Sequence, residues 1–284
     1  MRTPYTKEKQ LYTLDFIKQN ICHIDWESKY SYGISLLGGE LYYTQDNDIQ
    51  ESFLELIDVI IENVLKVSKN PLCKYSTVTN GLYEPSFLYK VIDKIANSVG
   101  IEKVDINFSY DLKYRYKTEE DRLKVLKNIN EFHNRYNYKV GVQMILTQYL
   151  IDMWKNGEFE VNKFLETEIP GNNLCFLYPH KIHTGKVLTD FQFNRHDFLK
   201  FIGYVKMANP TVYRSFVLST KNSAIFKMTG YKYRDSTDVT QQPIYCDGKE
   251  VISNCGHSVL YRCYSDCDKC MLCDLETIEE NNIL

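Results

Sequence analysis

The chain has 284 residues, of which 44% are apolar, and its formal net charge is −3. This length and apolar fraction suit one large α/β domain, or a medium-sized domain with an appendage. Without a basic cluster, nucleic acid is not favoured as a partner. Because the first residues lack the apolar core of a secretory signal, and no run approaches the roughly 20 apolar residues that span a bilayer, we expect a cytoplasmic protein without a membrane partner.

Segments with helical and strand periodicity alternate over the first two thirds of the chain. Longer segments with one apolar face predict helices at 7–22, 49–67, 85–99, 118–136, 159–166 and 195–207. Short apolar or alternating runs that end at turn residues predict strands at 32–37, 75–79, 104–109, 138–146 and 174–178. Repeated strand–helix units imply right-handed crossovers, and therefore a parallel sheet with helices outside it.

The pattern changes near residue 213. Short β-like pieces at 213–218 and 224–228 precede a segment rich in glycine, aspartate and cysteine. We therefore expect two domains, an α/β domain at 1–212 and a cysteine-rich appendage at 213–284 that is organised by its thiolates.

Six of the nine cysteines lie between residues 246 and 273, and the last four follow the pattern C-x3-C-x2-C-x2-C. Such short spacing favours metal ligation, because cysteines two residues apart rarely reach disulfide geometry outside redox C-x-x-C motifs. We expect zinc or a [4Fe–4S] cluster, with His257 as a substitute ligand. The predicted ligands are four of the five residues Cys255, Cys263, Cys267, Cys270 and Cys273.

The first predicted strand ends at Gly38-Gly39-Glu40. Parallel α/β sheets bind ligands at the carboxyl ends of their strands. Two glycines allow a ligand to approach the backbone closely, and the neighbouring carboxylate can accept hydrogen bonds from an ammonium group. By itself, the tripeptide more often marks a tight turn followed by a solvated glutamate.

Later strand ends also carry polar residues, namely Thr79-Asn80-Gly81, the segment 107–111 (Asn-Phe-Ser-Tyr-Asp) and the segment 142–148 (Val-Gln-Met-Ile-Leu-Thr-Gln). Together with Gly38-Gly39-Glu40, this ordered set resembles consecutive strand ends of the radical S-adenosylmethionine (radical SAM) family. The resemblance covers roughly residues 30–180, and it implies a partial (β/α) barrel within 1–212.

The resemblance also implies a cofactor site. In the family, the Gly-Gly-Glu turn holds the methionine amino group of S-adenosylmethionine, and later strand ends meet the carboxylate and ribose. It therefore nominates Gly38, Gly39 and Glu40 first, and then Ser109 and Asp111. The Thr79-Asn80-Gly81 segment is expected mainly to shape a turn.

The chain departs from the family upstream of this turn. Family members carry a C-x3-C-x2-C loop after their first strand, and its three thiolates leave one iron of a cluster open to the cofactor. Here only Cys22 precedes Gly38. The resemblance therefore implies a degenerate or partial member that lacks this loop. The segment 213–284 resembles the SPASM or twitch extensions that hold auxiliary iron–sulfur clusters.

Three hypotheses follow for function. The first is a radical-SAM-like binding or partner subunit that acts with a peptide or protein partner. It carries a metal site in the cysteine-rich appendage at 213–284, which we call the tail. The second is an active radical SAM enzyme that modifies a peptide or small molecule and is completed by a second polypeptide or by the tail cysteines. The third is a zinc-stabilised interaction protein.

Overall fold

A computed structural model describes residues 6–27, 33–36, 40–113, 115–177 and 194–217, and the backbone of 245–246 and 249–250. The helices are α1 (Lys7–Ile21), α2 (Asn47–Ile60, continued by a π-helical turn at Ile61–Leu65), α3 (Ser86–Val99), α4 (Glu119–Tyr136), α5 (Gln148–Lys155), α6 (Val161–Thr167), α7 (Arg195–Ala208) and α8 (210–217). The strands are β1 (Gly33–Leu36), β2 (Lys74–Thr79), β3 (Val104–Tyr110), β4 (Gly141–Ile145) and β5 (Asn173–Leu177). Among these helices, none combines the length and apolar character needed to cross a membrane.

The five strands form one parallel sheet, in which they follow one another in chain order from β1 to β5. In the parallel pairs, Ile34 lies opposite Tyr75, and Tyr75 lies opposite Val104. β1 and β5 are the ends of the order, so the sheet is not closed over the part of the chain described here. The predicted α/β class is confirmed, and the open parallel sheet is consistent with the predicted partial (β/α) barrel.

Two local predictions differ from the structure. The β-like piece predicted at 213–218 is wrong, because 210–217 is helical. Asn209 begins α8, since its side-chain oxygen accepts a hydrogen bond from the Val212 N–H at 3.1 Å, and Pro210 suits the first helical position. The sequence analysis also missed α5, which begins where the Thr147 hydroxyl accepts a hydrogen bond from the Leu150 N–H at 3.2 Å.

A short hairpin lies in the predicted appendage. Strand β6 (Tyr245–Cys246) pairs antiparallel with β7 (Lys249–Glu250), with Cys246 opposite Lys249. The piece predicted at 224–228 and the five predicted metal-binding cysteines lie outside the described residues.

The chain divides into two compact units. The first comprises Met1–Val142 and Ile169–Asn172, and its core lies between one face of the sheet and helices α2 to α4. Phe108 of β3 packs edge-on against Phe132 of α4, with ring centroids 6.2 Å apart. Phe53 of α2 and Phe87 of α3 make a similar contact at 5.8 Å. The candidate site belongs entirely to this unit.

The second unit comprises Gln143–Glu168 and Asn173–Leu284. Its described core is aromatic. Phe201 of α7 contacts Trp154 of α5 at a centroid distance of 5.5 Å and Phe176 of β5 at 5.6 Å. Trp154 also stacks on Tyr204 at 5.4 Å. The packing of α5 and α7 on β5 is therefore built from large rings.

Candidate functional site at the carboxyl ends of β1 to β3

The Glu40 carboxylate joins the end of β1 to the end of β2. Its Oε1 accepts a hydrogen bond from the Thr79 hydroxyl at 2.8 Å, and its Oε2 accepts one from the Asn80 backbone N–H at 2.7 Å. Hydrogen bonds to a charged acceptor are about twice as strong as neutral ones. Both oxygens of this half-buried side chain are therefore held in one orientation.

The segment after β2 is a tight turn, as expected. Gly81 has a φ of +67°, which favours glycine. The Thr79 hydroxyl accepts from the Gly81 N–H at 3.1 Å, and the Asn80 side chain accepts from the Leu82 N–H at 2.9 Å. A Cβ on Gly81 would lie 2.9 Å from the Phe108 ring. Thr79 thus serves both the turn and Glu40.

The Asn128 side chain is hydrogen bonded to the backbone of this turn. It lies on the buried side of α4, and its Nδ2 donates to the carbonyl oxygens of Gly81 at 2.7 Å and Tyr83 at 3.2 Å. The sequence analysis did not identify this residue. A signal was present, because Asn128 falls on the apolar stripe of α4 beside Val125 and Ile129.

Two buried tyrosines pair near the site: Tyr42 follows Glu40 in the loop after β1, and Tyr75 lies near the amino end of β2. The hydroxyls of Tyr42 and Tyr75 are 2.8 Å apart. Burial raises the pKa of each phenol well above its ordinary value, because the charged form would lose its hydration. Both hydroxyls therefore stay neutral, and they add hydrogen-bonding capacity without charge.

A small cavity borders Glu40, Tyr42, Thr79, Phe108 and Asn128. Its volume of about 10 Å³ is at the lower limit for one water molecule. A nucleoside-sized ligand does not fit inside it. The Asn80 and Ser109 side chains are half-buried at the same strand ends and do not border this cavity.

The end of β3 presents two predicted residues in different ways. Ser109 is half-buried on the sheet face opposite Phe108, and its carbonyl oxygen accepts from the Tyr116 hydroxyl at 3.4 Å. Asp111 is only 5% exposed, and its Oδ1 accepts from the Lys113 N–H at 2.7 Å. The Ser109 side chain is therefore partly accessible, whereas the Asp111 carboxylate is buried and bonds to the loop that follows.

Of the predicted site residues, Glu40 follows β1, and Ser109 and Asp111 end or follow β3, on the other side of β2 in the same unit. Gly38, Gly39 and the cysteines Cys255, Cys263, Cys267, Cys270 and Cys273 lie outside the described residues. Within the described ranges, no three His, Cys, Asp or Glu side chains group in a way that could hold a metal ion. The predicted metal site therefore stays a prediction.

No family model and no curated protein matches this chain. Solved structures do match it. The structure of native anSMEcpe with bound AdoMet and the Cp18Cys peptide is 15% identical in sequence, with a TM-score of 0.50. The match covers 95% of this chain and 79% of the anSMEcpe chain. Native anSMEcpe with bound AdoMet is 16% identical, with a TM-score of 0.46, and covers 98% and 72%. The chain therefore has a radical-SAM-like fold.

Proposed function

We propose that this chain binds S-adenosylmethionine at the carboxyl ends of β1 to β3 and acts as a radical-SAM-like binding or partner subunit. The observation that carries the proposal is the Glu40 carboxylate, which Thr79 and Asn80 hold at the edge between two parallel strands. This edge is where parallel α/β sheets bind ligands. The radical-SAM-like fold supports this choice of ligand.

The residues at this edge suit the polar end of the cofactor. Each Glu40 oxygen accepts one hydrogen bond and keeps further acceptor capacity, so the carboxylate can also accept from an ammonium group. The glycines Gly38 and Gly39 precede it directly in sequence and would allow close approach. Ser109 would donate its hydroxyl to the cofactor carboxylate or ribose, and Asp111 would keep its loop in place. When bound, S-adenosylmethionine supplies an adenosyl group on a sulfonium centre.

A peptide or protein is the proposed partner. The anSMEcpe structure with a TM-score of 0.50 was solved with a peptide bound, which supports a peptide partner for this fold. Only Cys22 precedes Gly38 in this sequence, so we propose that cofactor cleavage is not an activity of this chain alone. The partner would then be the protein or peptide on which a complete enzyme acts.

The binding proposal is tested by isothermal titration calorimetry with S-adenosylmethionine and S-adenosylhomocysteine. We expect wild-type protein to bind, and Glu40→Gln to weaken binding about tenfold or more, because the neutral amide lacks the charge that would strengthen a hydrogen bond from the cofactor's ammonium group. Glu84→Gln is the matched control, since Glu84 borders the same cavity without bonding to Thr79 or Asn80. Absence of binding, or equal losses in the two variants, would contradict the proposal.

The role as a subunit is tested by reconstitution with iron and sulfide in the absence of oxygen. We expect the isolated chain to release no 5′-deoxyadenosine from S-adenosylmethionine under reducing conditions. Efficient release by the chain alone would instead establish the active-enzyme hypothesis.

We further propose that four of the tail cysteines hold a [4Fe–4S] cluster or zinc. Such a site would organise the tail, because metal binding supplies folding free energy in small thiolate sites. Metal analysis of protein purified without oxygen distinguishes the iron–sulfur cluster from zinc. Stoichiometric zinc without a brown chromophore would favour the zinc-stabilised interaction protein. Replacing both Cys267 and Cys270 by serine should remove the metal and expose the tail to proteolysis, while residues 40–177 stay resistant.

A further inference from the structure

The sequence contains two Asn-Gly dipeptides, Asn80-Gly81 and Asn156-Gly157. Asparagine before glycine is susceptible to deamidation, because glycine has no Cβ to shield its backbone nitrogen and adopts a wide range of backbone angles. The glycine nitrogen loses its proton and attacks the side-chain carbonyl carbon of asparagine, whose amide nitrogen leaves as ammonia. The succinimide ring then adds water and opens to aspartate or isoaspartate. Both dipeptides share this local chemistry, so only the fold can separate their rates.

Hydrogen bonds hold the groups of the first dipeptide that this reaction would move. The Asn80 N–H donates to the Glu40 carboxylate at 2.7 Å, and the Asn80 Oδ1 accepts from the Leu82 N–H at 2.9 Å. The attacking nitrogen is also engaged, because the Gly81 N–H donates to the Thr79 hydroxyl at 3.1 Å. Ring closure would therefore break bonds at both the side chain and the nitrogen that have to meet.

Packing restrains the same turn. Gly81 is buried, and its carbonyl oxygen accepts from the Asn128 side chain at 2.7 Å. A Cβ on Gly81 would lie 2.9 Å from the Phe108 ring, so there is little space in which the Gly81 backbone could rotate. The turn therefore opens only if the contacts of α4 and β3 are also disturbed.

The second dipeptide follows α5 and is much less restrained. Asn156 and Gly157 are both exposed, and a Cβ on Gly157 would meet no atom within 4 Å. Within the residues that the structure describes, no hydrogen bond holds the Asn156 side chain. The Gly157 N–H donates to the Trp154 carbonyl oxygen at 3.0 Å, but this bond lies at the exposed end of an eight-residue helix. Helix ends open more readily than buried turns.

We propose that Asn156 is a site of spontaneous deamidation in the folded protein, and that the hydrogen bonds to Glu40 and Thr79 protect Asn80 from the same reaction. At Asn80, isoaspartate would add one carbon atom to the main chain and displace the N–H that bonds to Glu40. The protection therefore preserves the orientation of the Glu40 carboxylate. The inference concerns the chain itself, so it is tested without S-adenosylmethionine.

The first test follows both asparagines in one sample. Wild-type protein is incubated at neutral pH and physiological temperature, either folded or unfolded in guanidinium chloride, and then digested with trypsin. Mass spectrometry of the peptides 75–90 and 156–163 measures the converted fraction of Asn80 and Asn156. In the folded protein we expect Asn80 to convert at least about tenfold more slowly than Asn156. In guanidinium chloride the two should convert at similar rates, because only the shared local chemistry remains.

Two variants test the protecting contacts. Thr79→Val removes the acceptor of the Gly81 N–H, and Glu40→Ala removes the acceptor of the Asn80 N–H. Each should accelerate conversion of Asn80 severalfold and leave that of Asn156 unchanged. Thr167→Val is the matched control, since it removes an exposed hydroxyl that donates to a carbonyl oxygen of α6. It should change neither rate.

Circular dichroism shows which variants remain folded, and the wild-type comparison decides the proposal even if one of them unfolds. Equal conversion of the two asparagines in folded wild-type protein would overturn the proposal. So would an Asn156 that stays intact when folded but converts in guanidinium chloride. An unchanged Asn80 rate in folded Thr79→Val and Glu40→Ala would overturn the protective role of these two contacts.

Discussion

The covered and open faces of β2 and β3 differ in burial although they share the same strands. Tyr75, Thr77 and Thr79 point to the covered side, and they alternate with Ser76, Val78 and Asn80. On β3, Phe108 on the covered face is 1% exposed, whereas the next residue, Ser109, is half-exposed. One face is therefore closed by packing, and the other keeps hydrogen-bonding groups accessible.

The carboxyl edge joins these two faces. Glu40 and Asn80 are half-buried, whereas Thr79, which donates to Glu40, and Asn128, which donates to the Gly81 carbonyl, are buried. The geometry of the proposed cofactor site thus depends on groups that no ligand would touch. This difference predicts that changes on the covered face lower stability, while changes on the open face alter binding.

The largest expected effect is that of Phe108→Ala. Truncating a fully buried phenylalanine typically costs about 3–5 kcal/mol. Urea unfolding monitored by circular dichroism should show a loss of this size. Ser109→Ala, one position away on the open face, should change the unfolding free energy by less than about 0.5 kcal/mol. Equal losses in the two variants would remove the distinction between the faces.

Gly81→Ala should lower the unfolding free energy by about 2–3 kcal/mol. Part of this cost, about 1–2 kcal/mol, is the left-handed backbone conformation, and the rest is contact with Phe108. Gly157→Ala is the control, because Gly157 has a φ of +75° but no atom within 4 Å of an added Cβ. Urea unfolding of both variants isolates the packing contribution. If Gly157→Ala costs as much as Gly81→Ala, the turn is not constrained by the covered face.

Asn128→Ala should cost about 1–3 kcal/mol, because the carbonyl oxygens of Gly81 and Tyr83 lose their side-chain donor. Amide hydrogen exchange should also become faster at Gly81 and Leu82, since their turn loses its support. Asn134→Ala, at an exposed position of the same helix, should change neither quantity. Unchanged exchange in Asn128→Ala would show that the turn is held without the covered side.

The smallest expected effect is that of removing the ion pair between Lys7 and Asp46, which lies away from both faces of the sheet. Hydrogen bonding from Lys7 lowers the pKa of Asp46 below its usual value near 3.8. A lowered carboxyl pKa contributes stability that is present above the unfolded-state pKa and is lost as the pH falls through the folded-state pKa. The Lys7 side chain is exposed and that of Asp46 is half-exposed, so the contribution is small. Between about pH 5 and pH 3, the urea midpoint of wild-type protein should therefore fall slightly more than that of Lys7→Met; an identical fall would show that the pair contributes nothing.

Much of the fold could be predicted because hydrophobic periodicity is a local property. β2 and β3 alternate cleanly along six and seven residues, and the predicted strands match the observed ones within one or two residues there. The prediction failed at α8, where Val212, Tyr213 and Phe216 are residue types that also suit strands. Val212 and Phe216 are buried four residues apart, which is a helical spacing that a short segment does not distinguish clearly.

The sequence by itself also predicted a candidate site at the strand ends, because the carboxyl ends of neighbouring parallel strands meet at one edge. Its internal geometry did not. Thr79 and Asn80 are 39 and 40 residues from Glu40, and Asn128 is 47 residues from Gly81. Which donor meets which acceptor across such distances depends on strand register and helix packing. These are properties of the folded chain, and only the tertiary structure decided them.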